Sequence, residues 1–233
     1  MWKLTIILCA LWLPASVALA ARPMITDDAR LTDAKACQVE SWIKFNRNST
    51  EKWALPACNP GGNLEFTLGG GIGENIQGME TTDVMVQAKT LLKPLETNGY
   101  GVGLAIGNIR HPAISTGSNL IGDLYAYVPA SFSSKDDFFV LHTNLGVLRS
   151  HDEGKNHLTW GVGSETQATP SVAVIAETFG QETGRGLYQL GLRYWVAPNR
   201  VQVDTTYGNR FGSGGAERWF SIGLRLISPP FFP

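Results

Sequence analysis

Phe220-Ser221-Ile222-Gly223-Leu224-Arg225-Leu226 is the stretch that decides the fold. Phe220, Ile222, Leu224 and Leu226 fall on one side of an extended chain. Ser221, Gly223 and Arg225 fall on the other. A strict period of two marks a β-strand with two unlike faces. An apolar face that alternates with a polar one suits a transmembrane barrel, where one face meets lipid and the other the lumen.

Working back from this strand, the same alternation keeps returning and never yields to a helical period. Val201, Val203 and Tyr207 oppose Gln202, Asp204 and Thr206. Tyr188, Leu190, Leu192, Tyr194 and Val196 oppose Gln189 and Arg193. Val172, Val174 and Ala176 oppose Glu177. Leu158, Trp160 and Val162 oppose Thr159, Gly161 and Gly163, and Leu141, Leu145 and Val147 oppose His142 and Asn144. Leu120, Leu124, Ala126 and Val128 oppose Asp123, Tyr125 and Tyr127. Tyr100, Val102, Leu104 and Ile106 alternate with Gly101, Gly103, Ala105 and Gly107. Val84, Val86 and Ala88 oppose Asp83, Gln87 and Lys89, and Leu64, Phe66 and Leu68 oppose Glu65 and Thr67. Cys37, Val39, Ile43 and Phe45 oppose Gln38, Glu40 and Lys44. With a short strand near residues 52–57, about twelve antiparallel strands of ~10 residues fill the chain, as in an up-and-down bacterial barrel. The predicted fold class is all-β, a transmembrane β-barrel over residues 36–233.

An even strand number puts both ends of the barrel on the periplasmic side. Turns there are expected to be tight, as at Asn59-Pro60-Gly61-Gly62 and Pro198-Asn199. Outward connections are polar and Gly-rich: Gly71 to Glu80, Arg110 to Ser118, Ser150 to Asn156 and Gly208 to Gly215. Upstream, residues 1–20 read as a cleaved secretory signal. Lys3 supplies the positive start, Leu4 to Val17 the apolar run, and Ala18-Leu19-Ala20 a small-residue cut before Ala21. Residues 21–35 lack periodicity and read as a periplasmic lead-in. No later stretch approaches the ~20 apolar residues of a spanning helix.

Removal of the leader leaves Cys37 and Cys58. An even count in an exported chain suggests a disulfide. The parity raises an objection. Cys37 points outward with Val39, but Cys58 points inward if Trp53 and Leu55 face out. A kink at Pro56 would cure this.

A net charge of −1 removes the basic footprint expected for nucleic acid. Gly69-Gly70-Gly71-Ile72-Gly73 lacks the Lys-Ser/Thr ending of a phosphate loop. His111, His142, His151 and His157 have no metal spacing, and no cofactor is implied. His142 and Asn144 share a face without a serine two places away. A hydrolase needs a nucleophile within hydrogen-bond reach of its base, so no catalytic set is read. Function is expected in the lumen, on Glu40, Lys44, Glu65, Asp83, Lys89, Asp123, Tyr125, Tyr127, His142, Glu177, Arg193, Asp204 and Arg225. Tyr125 and Tyr127 are expected to pack over the small residues of the preceding strand.

Ala21-Arg22-Pro23-Met24-Ile25-Thr26-Asp27-Asp28-Ala29, Gly62-Asn63-Leu64-Glu65-Phe66-Thr67-Leu68-Gly69, and Gly191-Leu192-Arg193-Tyr194-Trp195 followed by Pro198-Asn199 carry a family resemblance. They resemble the bacterial family labelled "MetA-pathway of phenol degradation". That resemblance implies an outer-membrane barrel assigned to transport of aromatic compounds, with Arg30 standing where the family has Gly.

Three functions stay open on sequence. One is a channel for small or hydrophobic, including aromatic, compounds, with outer-membrane lipid as its surroundings. A second is a non-transporting structural or surface-binding barrel filled by its own charges. The third is a soluble periplasmic barrel, with the apolar face turned inward around a ligand.

Overall fold

The computed structural model describes residues 24–78, 80–112 and 121–232. The leader at 1–20, Ala21-Arg22-Pro23 and residues 113–120 of one outward connection lie outside them. Twelve strands follow in order: β1 (Ala36–Asn46), β2 (Ser49–Asn59), β3 (Glu65–Asn75), β4 (Glu80–Lys93), β5 (Tyr100–Arg110), β6 (Asp123–Ser134), β7 (Phe139–Arg149), β8 (Asn156–Thr169), β9 (Val172–Gln181), β10 (Leu187–Ala197), β11 (Val201–Arg210) and β12 (Trp219–Ile227). Each pairs antiparallel with the next, and β12 closes on β1 from Gln38↔Ile227 to Asn46↔Trp219. Closure leaves no sheet edge, which is what a chain in hydrocarbon requires of its backbone polar groups.

The outer surface is apolar. Leu68 (61% exposed) and Leu190 (59% exposed) stand among Ile106, Leu145, Leu192, Ile222 and many others. The interior holds Arg193, Gln202, Ser131, Thr206, Glu65, Lys89 and Arg225, all buried. A soluble ligand-binding barrel has the reverse arrangement, so the soluble alternative does not fit this molecule. Both ends of the barrel lie at one rim, here the near rim. The opposite one is the far rim.

Three sequence expectations change in detail. The second strand is not short, and Trp53 and Leu55 face inward, not outward. Leu55 is buried, and Trp53 stacks on Trp42 with ring centroids 5.6 Å apart. Cys58 therefore points outward with Cys37, directly opposite it in the register, and the two form a disulfide with Cα atoms 4.0 Å apart. Pro56 keeps its place opposite Val39, so no kink is needed.

The Gly71–Glu80 loop is also shorter than expected. Gly70, Gly71 and Gly73 pair with Val84, Asp83 and Thr81, so β3 runs on to Asn75 and β4 resumes at Glu80. Glycine there serves close packing, since a Cβ at Gly71 would lie 2.5 Å from the Trp53 ring. Lastly, the segment read from sequence as a periplasmic lead-in lies, from Met24 on, against side chains of the inner wall.

The outward face yields a depth-dependent prediction. Leu192, at the middle of β10, is 51% exposed. Leu92, at the near-rim end of β4, is 70% exposed. Leu192→Arg costs ~2–4 kcal/mol in a lipid bilayer and Leu92→Arg ~0–1 kcal/mol. Urea unfolding in liposomes measures both, and equal costs would refute the placement of the belt.

Candidate functional site

Residues 24–35 form a strap that runs from the near rim into the lumen. Lys35, at the base, has a left-handed backbone (φ 65°) that turns the chain from β1 back into the barrel. Its amide donates to Asn59 O at 2.7 Å, and its carbonyl accepts from Phe231 N at 2.8 Å. Farther in, Asn59 Nδ2 donates to Thr32 O at 2.7 Å. The strap's own amides go to side chains of the wall. Thr32 N donates to Glu65 Oε2 at 2.8 Å, and Ala29 N to Ser131 Oγ at 2.9 Å. Ile25 N and Thr26 N donate to the two oxygens of Glu177 at 2.8 and 2.7 Å.

The strap's acids meet a cation. Lys89 Nζ lies 2.9 Å from Asp27 Oδ2 and 3.6 Å from Asp28 Oδ1, and Tyr127 OH donates to Asp27 at 2.7 Å. Met24, Thr26, Asp28, Ala29 and Thr32 are all buried. Gly161 and Gly163 of β8 make room for them. A Cβ at Gly163 would lie 2.4 Å from the Met24 methyl, and one at Gly161 2.6 Å from Thr26 Oγ1.

Around the strap, the near half of the barrel is a polar core. Arg193 pairs with Glu165 at 2.5 Å, beside Asp204, its register partner on β11. Arg225 Nε donates to Gln38 Oε1 at 2.7 Å and lies 3.7 Å from Glu40. Such charges persist out of water only when paired and hydrogen-bonded. The cavity found here, lined by Asp27, Arg30, Glu65, Lys89 and Arg225, is a water-sized hollow of about 30 Å³.

The far half differs. Two adjoining hollows of about 230 and 560 Å³ share walls of Ile25, Met85, Ile109, Phe179 and Leu187. The smaller adds Trp42, Trp53 and Trp219. The larger adds Tyr125 and Tyr127 and reaches the far rim at Arg185 and Arg210. Met24 and Ile25 of the strap belong to this chamber's lining. Glycines let its aromatics lie flat on the wall. Tyr125 covers Gly107, and Trp219 covers Gly208, where an added Cβ would sit 2.2 Å from the ring. Trp219 Nε1 donates to Gln189 Oε1 at 3.2 Å, and Lys44 Nζ stands 4.9 Å from a Trp219 ring centroid.

The residues singled out in the sequence thus separate into groups. Glu65, Lys89, Tyr127 and Glu177 hold the strap. Glu40, Arg193, Asp204 and Arg225 sit in the near-half core. Lys44 and Tyr125 border the chamber. Asp83 and Asp123 stand near the far rim on either side of His111, whose ring nitrogens lie 2.5 and 3.6 Å from them. The chamber's apolar residues, Trp42, Met85, Ile109, Phe179 and Leu187, were missed. Trp42 shares parity with Gln38, Glu40 and Lys44, and that signal placed it inside.

His142 has a partner that spacing along one strand did not reveal. Ser131 is opposite it on β6, and Ser131 Oγ and His142 Nδ1 share a hydrogen bond of 2.8 Å. His142 Nε2 is 3.4 Å from Glu165 Oε1. A Ser–His–Glu set therefore does share one place, contrary to the sequence reading. Ser131 is fully buried, lines neither hollow of the chamber, and its oxygen accepts the Ala29 amide. Its role on this geometry is to hold the strap.

Two variants test the two halves. Arg193→Gln leaves Glu165 buried with its main counter-charge gone, and destabilises the barrel by ~3–5 kcal/mol. Gly208→Ala forces the Trp219 ring off the wall, at ~1–3 kcal/mol, and shifts tryptophan emission. Unfolding curves and fluorescence spectra read both.

No curated protein matches the sequence. Among solved structures, the KdgM porin superposes with a TM-score of 0.62 at 8% identity, over 81% of this chain and 98% of that one. A KdgM porin complex with disordered oligogalacturonate gives 0.59 at 10%, over 81% and 98%. The NanC porin gives 0.59 at 12%, over 82% and 98%. Identities this low carry the fold alone: the chain shares the closed barrel of these porins. A family profile described as "Uncharacterised conserved protein UCP029691" matches residues 7–227, and the chain belongs to that family.

Proposed function

We propose that this barrel spans the outer membrane of a Gram-negative bacterium, delivered by a cleaved leader at 1–20. There it admits small apolar or aromatic compounds into the far chamber as the first part of a passive path. The observation that carries this reading is the chamber itself. Small-molecule sites are concave and mostly apolar, with a few polar groups to orient the ligand. Phe179, Trp219, Leu187 and Ile109 supply such a wall, and Gln87, Gln189 and Lys44 the polar points. The apolar belt outside supports a lipid setting, and the barrel of porins supports the location. The resemblance to the phenol-degradation family points to the same ligand class. No turnover is proposed, because the sealed Ser131 offers no nucleophile to a compound in the chamber.

A second reading has one observation behind it. The strap fills the near half, as expected of a non-transporting barrel that binds at its outer face. An acidic sugar, the ligand class in the KdgM complex, is a poorer fit. It would need a cationic wall, and the chamber's cations are engaged, Arg210 by Glu217 at 2.5 Å, Lys44 by Glu51 at 3.7 Å and Arg185 by the carbonyl of Gly212 at 3.0 Å.

Titration of the detergent-folded protein with phenol or 1-naphthol is expected to quench tryptophan emission saturably. Trp219→Ala is expected to weaken that binding about tenfold, the equivalent of ~1.4 kcal/mol. Galacturonate is expected to leave the signal unchanged. Response to galacturonate alone would overturn the assignment. Influx of 1-naphthol into protein-loaded liposomes separates a channel from a binding barrel.

A further inference from the structure

We propose that the strap at 24–35 is a displaceable gate, hinged at Lys35, whose withdrawal joins the far chamber to the near rim. This rests on the channel reading above and concerns its regulation.

The wall is complete without the strap. All twelve strands pair with two strand neighbours, so no ladder hydrogen bond breaks when the strap leaves. Among the described residues, residues 24–34 belong to no strand or helix. The amides of Ile25, Thr26, Ala29 and Thr32 all go to side-chain oxygens of Glu177, Ser131 and Glu65. Those acceptors are carboxylates and a hydroxyl, groups that water satisfies once it fills the vacated lumen. The ion pairs of Lys89 with Asp27 and Asp28 exchange for hydration in the same way. The strap is thus latched by polar bonds around its length, and its apolar end, Met24 and Ile25, lines the chamber. A solute that fills the chamber touches the end of the strap directly.

The base is built differently. Lys35 is bonded through its backbone to Asn59 and to Phe231, beside the Cys37–Cys58 disulfide. The segment therefore has a fixed end at the near rim and a free run of side-chain latches beyond it. Hinges of this kind are a few element-terminal residues that absorb the backbone change.

A covalent lock tests the proposal. A Cβ at position 161 would stand 3.3 Å from the Thr26 Cβ, close to the ~3.5–4.5 Å separation of a disulfide. The Thr26→Cys/Gly161→Cys variant is loaded into liposomes and naphthol influx followed with and without reductant. The expected result is influx at least tenfold lower when oxidised and restored by reductant, measured against wild type given the same reductant, whose own Cys37–Cys58 disulfide controls for reduction at the hinge. Asp27→Asn/Asp28→Asn, which weakens the latch, is expected to raise influx several-fold. Equal influx in the locked and unlocked states would overturn the gate while leaving the channel intact. Absence of influx from wild type and from the latch variant, with naphthol still quenching tryptophan, would overturn the gate and the channel but not the chamber.

Discussion

A backbone surrounded by hydrocarbon has only its neighbouring strands to bond with, and the β1–β12 seam is where that demand is finally met. Every other feature follows from the closed wall. Closure fixes an inside and an outside, and the period of two in each strand sends alternate side chains to each. Outside, hydrophobic residues face a medium that asks nothing of them. Inside, all the polar side chains of twelve strands converge on a narrow space, and they must find one another or water. The near half solves this with Arg193–Glu165, Arg225–Gln38 and Lys89 with the strap's acids. The far half turns mainly to tryptophan, phenylalanine and tyrosine.

The strap is the near half's answer to a geometric problem. A barrel of this size is too wide for facing side chains alone to fill, and an aqueous lumen would leave the charges hydrated but the path open. A length of backbone supplies what side chains cannot, a row of amide donors. Glu177 takes two of them and Glu65 another. The absence of side chains at Gly161 and Gly163 on the wall gives this backbone room. The same device recurs at Gly107 and Gly208, where tyrosine and tryptophan lie against bare strand.

Alternation made the barrel legible, because period two depends on nothing beyond a strand's own residues. It failed where an answer depended on another strand. Trp53 and Leu55 look outward if judged as an apolar pair, yet the inward positions of this barrel accept apolar residues wherever aromatics cluster. The adjacency of Ser131 and His142 is a fact of register, invisible to spacing along one strand. The lead-in carried no period at all, since a strap bonded to β2, β3, β4, β6 and β9 has no partner of its own to be in phase with. Its Thr26-Asp27-Asp28 run lay in the stretch that carried the family resemblance. Nothing in its local pattern said that these acids would meet Lys89.

The hinge at Lys35 also makes closing the barrel a one-molecule event. A strap of residues 24–34, fully extended, reaches only ~35–40 Å from its base, so it stays beside the opening it came from. Short flexible tethers hold their ends at effective concentrations on the order of millimolar. A latch far too weak to capture a free peptide of the same sequence is strong enough to recapture this one. Its equilibrium is independent of how much protein the membrane holds. Tether length, and not only the strength of Lys89 with Asp27, sets how long the lumen stays open.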